Sequence, residues 1–176
     1  MAASILLSTI AVASAAVSRI DLGPTAQILA TCKLTNYPAV CVETSKPMET
    51  TGPVTVQRVA RMSIEAAIER AGKAKESAAA MMNADHGGKM RHADFQLCQQ
   101  EYVDGINALR ASIKELEAGV HDMLMDNLSA AMTSYTTCDD AFAEATEVSP
   151  LAADNAMLAK ITSNSLALAQ NVPKPR

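Results

Sequence analysis

The sequence predicts an all-α protein, an up-down four-helix bundle with two disulfides, and three observations carry that reading. Of 176 residues, 49% are apolar but only 3% aromatic, with no Trp, two Phe and ten Met. Small and straight-chain side chains of this kind favour packed helices over a sheet rich in aromatic and β-branched residues. Apolar residues recur in three- and four-residue steps over four long segments, the period of helices that each bury one face. Four cysteines, finally, can be paired within such a bundle.

In chain order, Met1 to Ser18 carries no charged side chain. Its apolar centre, Ile5 to Ala13, is shorter than the about 20 residues that span a bilayer and has the length of a signal-peptide core. Ala13 and Ala15 fit an A-x-A cleavage pattern although a basic n-region is missing, so residues 1–15 are expected to be a signal peptide and Ala16 the mature start. Residues 16–51 precede the bundle, with Glu43 to Gly52 read as the linker. The bundle itself is expected over residues 52–172. After Gly52, with Pro53 expected in a first helical turn, the first series runs Val56, Ala60, Ile64, Ala67, Ala71, Ala74, Ala78 and Met81. His86, Gly87 and Gly88 break it. A second series follows at Phe95, Cys98, Tyr102, Ile106, Leu109, Ile113 and Leu116, and Gly119 stops it. The third runs Leu124, Leu128, Ala131, Tyr135, Cys138 and Phe142. Ser149-Pro150 caps a fourth with Leu151, Leu158, Ile161, Ser165, Leu168 and Val172. Short turns make the four antiparallel. Residues 173–176 are expected to fray, and no later segment reads as a membrane span.

Four cysteines allow three pairings, and spacing alone does not choose among them. In a hairpin turning at Gly119, Cys98 lies 21 residues before the turn and Cys138 19 after it. At 1.5 Å rise per residue the two are level within about 3 Å, both on inward stripes. A Cys98–Cys138 bridge leaves Cys32 and Cys41 to close a short local loop. A zinc site is disfavoured, because no cysteine here has the close partner that zinc motifs use.

Function classes fall away in turn. A net charge of −4, 15 Lys and Arg against 19 Asp and Glu, with few aromatics, argues against nucleic acid as partner. A di-iron bundle needs Glu-x-x-His, yet Asn83, Lys89 and Ala118 stand three residues before His86, His92 and His121. The histidines fall in or near expected turns, where a solvated side chain is the ordinary role. There is no G-x-S-x-G, no phosphate loop and no thiolate kept for attack, so neither enzyme nor cofactor is expected. Asn127-Leu128-Ser129 is an N-glycosylation sequon inside an expected helix.

The segment from Cys32 to Cys41, Cys-Lys-Leu-Thr-Asn-Tyr-Pro-Ala-Val-Cys, followed by a long helix, resembles the opening of the plant invertase and pectin methylesterase inhibitor family. Cys98 to Leu116, with Tyr102 four residues after the cysteine, and Leu128-Ser129-Ala130-Ala131 through Thr137-Cys138-Asp139-Asp140-Ala141-Phe142 are similar to that family's second and third bundle helices. The resemblance implies a secreted, non-enzymatic protein with a four-helix bundle, an N-terminal helical hairpin, and cysteines paired first to second and third to fourth. The level argument reaches the same pairing.

Resemblance also frames the target. Invertase inhibitors of the best-known type carry Pro-Lys-Phe between the second and third bundle helices, and Ala118-Gly119-Val120-His121-Asp122 stands there in this chain. Pectin methylesterase inhibitors present acidic residues two, six and nine positions after the third cysteine. The matching positions are Gln100, Asp104 and Asn107, so one carboxylate of three survives. Thr137 and Asp140, flanking the fourth cysteine, match residues those inhibitors also use. Helical periodicity puts all five outside, opposite the Cys98 and Leu124 stripes.

The expected function is therefore a secreted inhibitor of the apoplast and cell wall. It would cover the active-site cleft of pectin methylesterase one to one, as a monomer or weak dimer, with no cofactor. The alternatives are an acid invertase inhibitor and, from a different class, a secreted helical binder of small apolar ligands in Ala- and Met-rich seams.

Overall fold

The structure, a computed structural model, describes residues 23–45, 53–84 and 89–173. The expected signal peptide, most of the linker, the His86-Gly87-Gly88 break and residues 174–176 lie outside the described residues. Among the described residues six helices follow one another: α1 (Pro24–Cys32), α2 (Pro38–Ser45), α3 (Val56–Ala84), α4 (Lys89–Ala118), α5 (His121–Glu144) and α6 (Ala152–Gln170). Helices α3 to α6 form the up-down bundle, with α3 closing the ring against α6 and the α1–α2 hairpin packed on α3 and α6.

Nearly every residue of the four apolar series is buried where periodicity puts it, from Ala60 to Ala78 on α3 and from Leu124 to Phe142 on α5. Met81 differs: it is 37% exposed, and it is its neighbour Met82 that packs against the core and meets Gln99 of α4. Val59, Met62 and Ser63 are buried in addition, since α3 is covered on two sides, by α4 and by α6 with the hairpin. Pro53 lies ahead of α3 rather than in its first turn. Thr55 accepts the Arg58 amide hydrogen through Oγ1 at 3.2 Å and so caps the helix instead. Leu151, not Ser149, is the N-cap of α6 and has no side-chain cap; the Ser149 hydroxyl instead accepts from the Leu151 amide at 3.2 Å in the turn just ahead of the helix. Helix α2 runs to Ser45, so the linker begins later than Glu43.

Two helix ends use the same device. Gly119, at φ 72°, follows α4, and the Val120 amide reaches back to the Glu115 carbonyl at 3.0 Å. After α5, Thr146 takes φ 62°, with Thr146 N bonded to the Ala143 carbonyl and Glu147 N to the Phe142 carbonyl, each at 2.9 Å. These are Schellman closures, in which the left-handed position favours glycine.

Both expected disulfides are present: Cys32–Cys41 with Cα atoms 5.6 Å apart and Cys98–Cys138 with Cα atoms 4.6 Å apart. The second joins the most intimate helix pair. Four of the chain's five aromatic side chains meet at the α4–α5 seam, Phe95 edge-on to Phe142 at 5.2 Å and Tyr102 beside Tyr135 at 6.4 Å. Gly105 permits that approach, since a Cβ there would stand 3.3 Å from Tyr135 Cε1 and 3.5 Å from Ser134 Cβ. Burial pushes the Tyr135 phenol up to about 12 and Tyr102 higher still.

The hairpin docks through backbone. Asn164 of α6 accepts the Tyr37 amide hydrogen at 2.8 Å and donates to the Tyr37 carbonyl at 2.9 Å, while Asn36 donates to Ser163 Oγ at 2.9 Å. Among the described residues, no helix is long and apolar enough to cross a membrane.

Candidate functional site

The outer faces of α4 and α5 lie side by side, locked by the Cys98–Cys138 bridge. Antiparallel register from that bridge sets Gln100 about level with Thr136, Asp104 with Met132 and Thr133, and Asn107 with Ser129. Gln100, Asp104, Asn107 and Asp140 are exposed as expected, whereas Thr137 is half-buried on the flank of its row. Periodicity set Thr137 fully outside. The middle of the α5 ridge is instead Ser129, Thr133 and Thr136, all exposed.

On α4, the Gln100 amide donates to both Asp104 carboxylate oxygens at 3.2 Å. The one carboxylate retained from the family pattern is thus already engaged by the glutamine one turn before it. Asn107 stands one turn further along. Leu97 and Val103, 39% and 36% exposed, bracket Gln100 on the same side of the helix. Sequence reasoning passed over these two apolar residues, although their place outside the Phe95 series was the signal.

On α5, every ridge hydroxyl donates back to its own helix. Ser129 bonds the Met125 carbonyl at 2.9 Å, Thr133 the Ser129 carbonyl at 3.2 Å, Thr136 the Met132 carbonyl at 3.2 Å and Thr137 the Thr133 carbonyl at 3.1 Å. With the donor hydrogens spent, the oxygens offer lone pairs outward. Helix α5 holds five carboxylates, Asp122, Asp126, Asp139, Asp140 and Glu144, and no Lys or Arg. The face is therefore an acceptor surface suited to a donor-rich, basic counterpart. Among the described residues, the polar contacts of Gln100, Asp104, Asn107, Thr137 and Asp140 stay within their own helices.

The remaining candidates are placed elsewhere. Asn127 is half-buried on the side of α5. His92 is exposed inside α4 rather than in a turn, and His121 opens α5 with Nδ1 3.6 Å from Asp122 Oδ1. Beside it, a pocket lined by Leu116, Leu124 and Val172 measures about 20 Å³, room for one water rather than an apolar ligand. A larger groove of about 260 Å³ has Val40, Ala66, Met157 and Ile161 in its lining. Of the charged residues in its lining, Lys73 pairs with Glu69 at 2.6 Å and Arg70 with Asp154 beyond the groove at 2.9 Å, while Glu43 also faces it. No group of three or more His, Cys, Asp or Glu among the described residues is arranged to hold a metal ion.

Comparison with known proteins agrees with this architecture. The family model described as plant invertase/pectin methylesterase inhibitor matches residues 26–168. A "21 kDa protein" of Daucus carota is 30% identical over 96% of this chain and 91% of its own length. An Arabidopsis thaliana protein named as a pectinesterase/pectinesterase inhibitor is 26% identical over 86% of this chain, which spans only 17% of that longer protein. Two crystal structures of Arabidopsis pectin methylesterase inhibitors share the fold. One, a mutant form, has a TM-score of 0.69 at 17% identity, covering 84% of this chain and 98% of that one. The other has a TM-score of 0.63 at 16% identity, covering 86% and 99%. With its helical hairpin, four-helix bundle, paired cysteines and the match over residues 26–168, the chain belongs to the plant invertase/pectin methylesterase inhibitor family, whose members are inhibitors and not enzymes.

Proposed function

We propose that the protein is a secreted inhibitor that covers the active-site cleft of a cell-wall carbohydrate enzyme in a one-to-one complex, with pectin methylesterase preferred to acid invertase. The observation that carries this reading is the α4–α5 face: Gln100, Asp104, Asn107, Thr137 and Asp140 on one rigid helix pair, around a ridge of outward-facing hydroxyl oxygens. Inhibition needs no chemistry from the chain. A bundle that buries on the order of 1,600 Å² with its partner excludes a polymeric substrate by volume. Rigidity serves affinity here, since a docking surface ordered in advance loses little entropy on binding.

The choice of pectin methylesterase rests on two local features. The α4–α5 turn is Ala118-Gly119-Val120-His121-Asp122, without Pro-Lys-Phe, and Thr137 and Asp140 flank the fourth cysteine. Secretion, with residues 1–15 removed as a signal peptide, places the protein in the wall with its target and keeps both disulfides oxidised. The test is a titration of one plant pectin methylesterase and one acid invertase at pH 5 to 6. Stoichiometric loss of esterase activity, with invertase unaffected, is the expected result. Tight inhibition of invertase alone would reassign the target, and inhibition of neither would reject the docking reading.

A further inference from the structure

We infer that Asn155, on the helix that carries none of the docking face, is a positioning residue for that face, holding Tyr102 in the α4 row and Asp139 in the α5 row through one side chain. The inference rests on the docking reading above. Asn155 is 2% exposed and Tyr102 fully buried. The Tyr102 hydroxyl donates to Asn155 Oδ1 at 2.6 Å, and Asn155 Nδ2 donates to Asp139 Oδ1 at 2.7 Å. A carboxamide accepts from one neighbour and donates to the other, which neither a carboxylate nor a hydrocarbon of this size does.

What the link fixes follows from the chain. Tyr102 stands two residues from both Gln100 and Asp104, while Asp139 adjoins Asp140 and is two residues from Thr137. Holding the two inner residues sets the rotation of each helix about its axis, and hence the direction in which the outer residues point. The Cys98–Cys138 bridge fixes how far the helices slide, and the Gly105 contact with Tyr135 how closely they approach. Asn155 supplies the remaining restraint from a third helix. Burial keeps the Tyr102 phenol protonated far into the alkaline range, so its donor role is constant.

The test compares inhibition constants for pectin methylesterase alongside thermal melting. Asn155→Asp keeps the acceptor for Tyr102 but sets a carboxylate against Asp139, and should weaken inhibition by about tenfold or more. Combining Asn155→Asp with Asp139→Asn reverses donor and acceptor across the same link, and should restore inhibition to within about threefold of wild type. Ser63→Ala removes buried hydrogen bonding between α3 and α6, where Ser63 and Ser165 are 2.9 Å apart, and should change inhibition less than about twofold despite a lower melting temperature. Should Asn155→Asp fail to fold, Asp139→Ala against Asp139→Asn asks the same question: the alanine should lose inhibition, and the asparagine, which still accepts from Asn155, should keep it. Unchanged inhibition by Asn155→Asp or Asp139→Ala, equal loss in Ser63→Ala, or a swap that regains melting temperature without inhibition would each overturn the positioning role. A wild type that inhibits neither esterase nor invertase would reject the docking reading, and this inference with it.

Discussion

Replacing Gln100 by Glu changes two things at once. In the wild type the Gln100 amide contacts both oxygens of Asp104 at 3.2 Å, so a partner's donor must share or displace it. Gln100→Glu removes that competitor and adds a second carboxylate at the position where the family pattern has one. A new charge-assisted hydrogen bond to the partner is worth about 1.5–3 kcal/mol. Against it stands like-charge repulsion between residues four apart on a helix, about 0.2–0.5 kcal/mol. The net is about 1–2.8 kcal/mol, or roughly five- to hundredfold tighter binding. The assay is the inhibition constant against pectin methylesterase at low and high salt, where the gain should shrink as screening rises. Asn107→Asp should act in the same direction, and Asp140→Asn in the opposite one. A Gln100→Glu protein that inhibits no better than wild type, while Asp140→Asn still impairs inhibition, would show that the α4 row lies outside the interface.

Four further outcomes are expected. Removing the Cys98–Cys138 bridge, which spans 40 residues, should cost about 1 kcal/mol more in urea unfolding than removing Cys32–Cys41, which spans 9, because the longer loop restrains the unfolded chain more; equal losses would reject that mechanism. Thr146→Gly should raise stability by about 0.5–1 kcal/mol in the same assay, as the left-handed cost to a branched residue outweighs the added freedom of unfolded glycine. Desolvation, then Glu147 and Glu144, raise the Asp94 carboxyl above its ordinary range, so its charged form opposes folding at neutral pH and the penalty fades as pH falls through the raised value. The melting advantage of Asp94→Asn over wild type should therefore be largest at pH 7 and shrink towards pH 4. Asn127, half-buried beside buried Leu128, should carry no glycan on secreted protein, and intact mass checks this.

How much of this was legible in sequence depends on the element. On α4 and α5, one apolar stripe faces inward along each helix, so Phe95, Cys98, Tyr102, Leu128 and Tyr135 announced both the core and the bridge. Helix α6 was less readable, because Asn155, Thr162, Asn164 and Ser165 are buried polar residues that blur the hydropathy period. Their partners come from other helices and from the Tyr37 backbone, and no local pattern encodes such contacts. The candidate face was half legible. The family resemblance, counted from the cysteines, marked Gln100, Asp104 and Asp140 as candidates, and helical periodicity put them outside, where they are exposed. The α5 ridge of back-bonded hydroxyls and the exposure of Leu97 and Val103 needed the packed bundle, which shows what is left uncovered.

The central claim is that the α4–α5 face is the one the target covers, and hydroxyl-radical footprinting of the protein alone and with equimolar pectin methylesterase tests it most directly. Leu97 and Val103 lie on that face, 39% and 36% exposed, while Met81 on α3 and Leu29 on the hairpin, 37% and 47% exposed, lie off it. The account predicts that oxidation of Leu97 and Val103 falls sharply in the complex while Met81 and Leu29 react as before. Protection of Leu29 with Leu97 and Val103 still reactive would contradict it and move the interface to the hairpin.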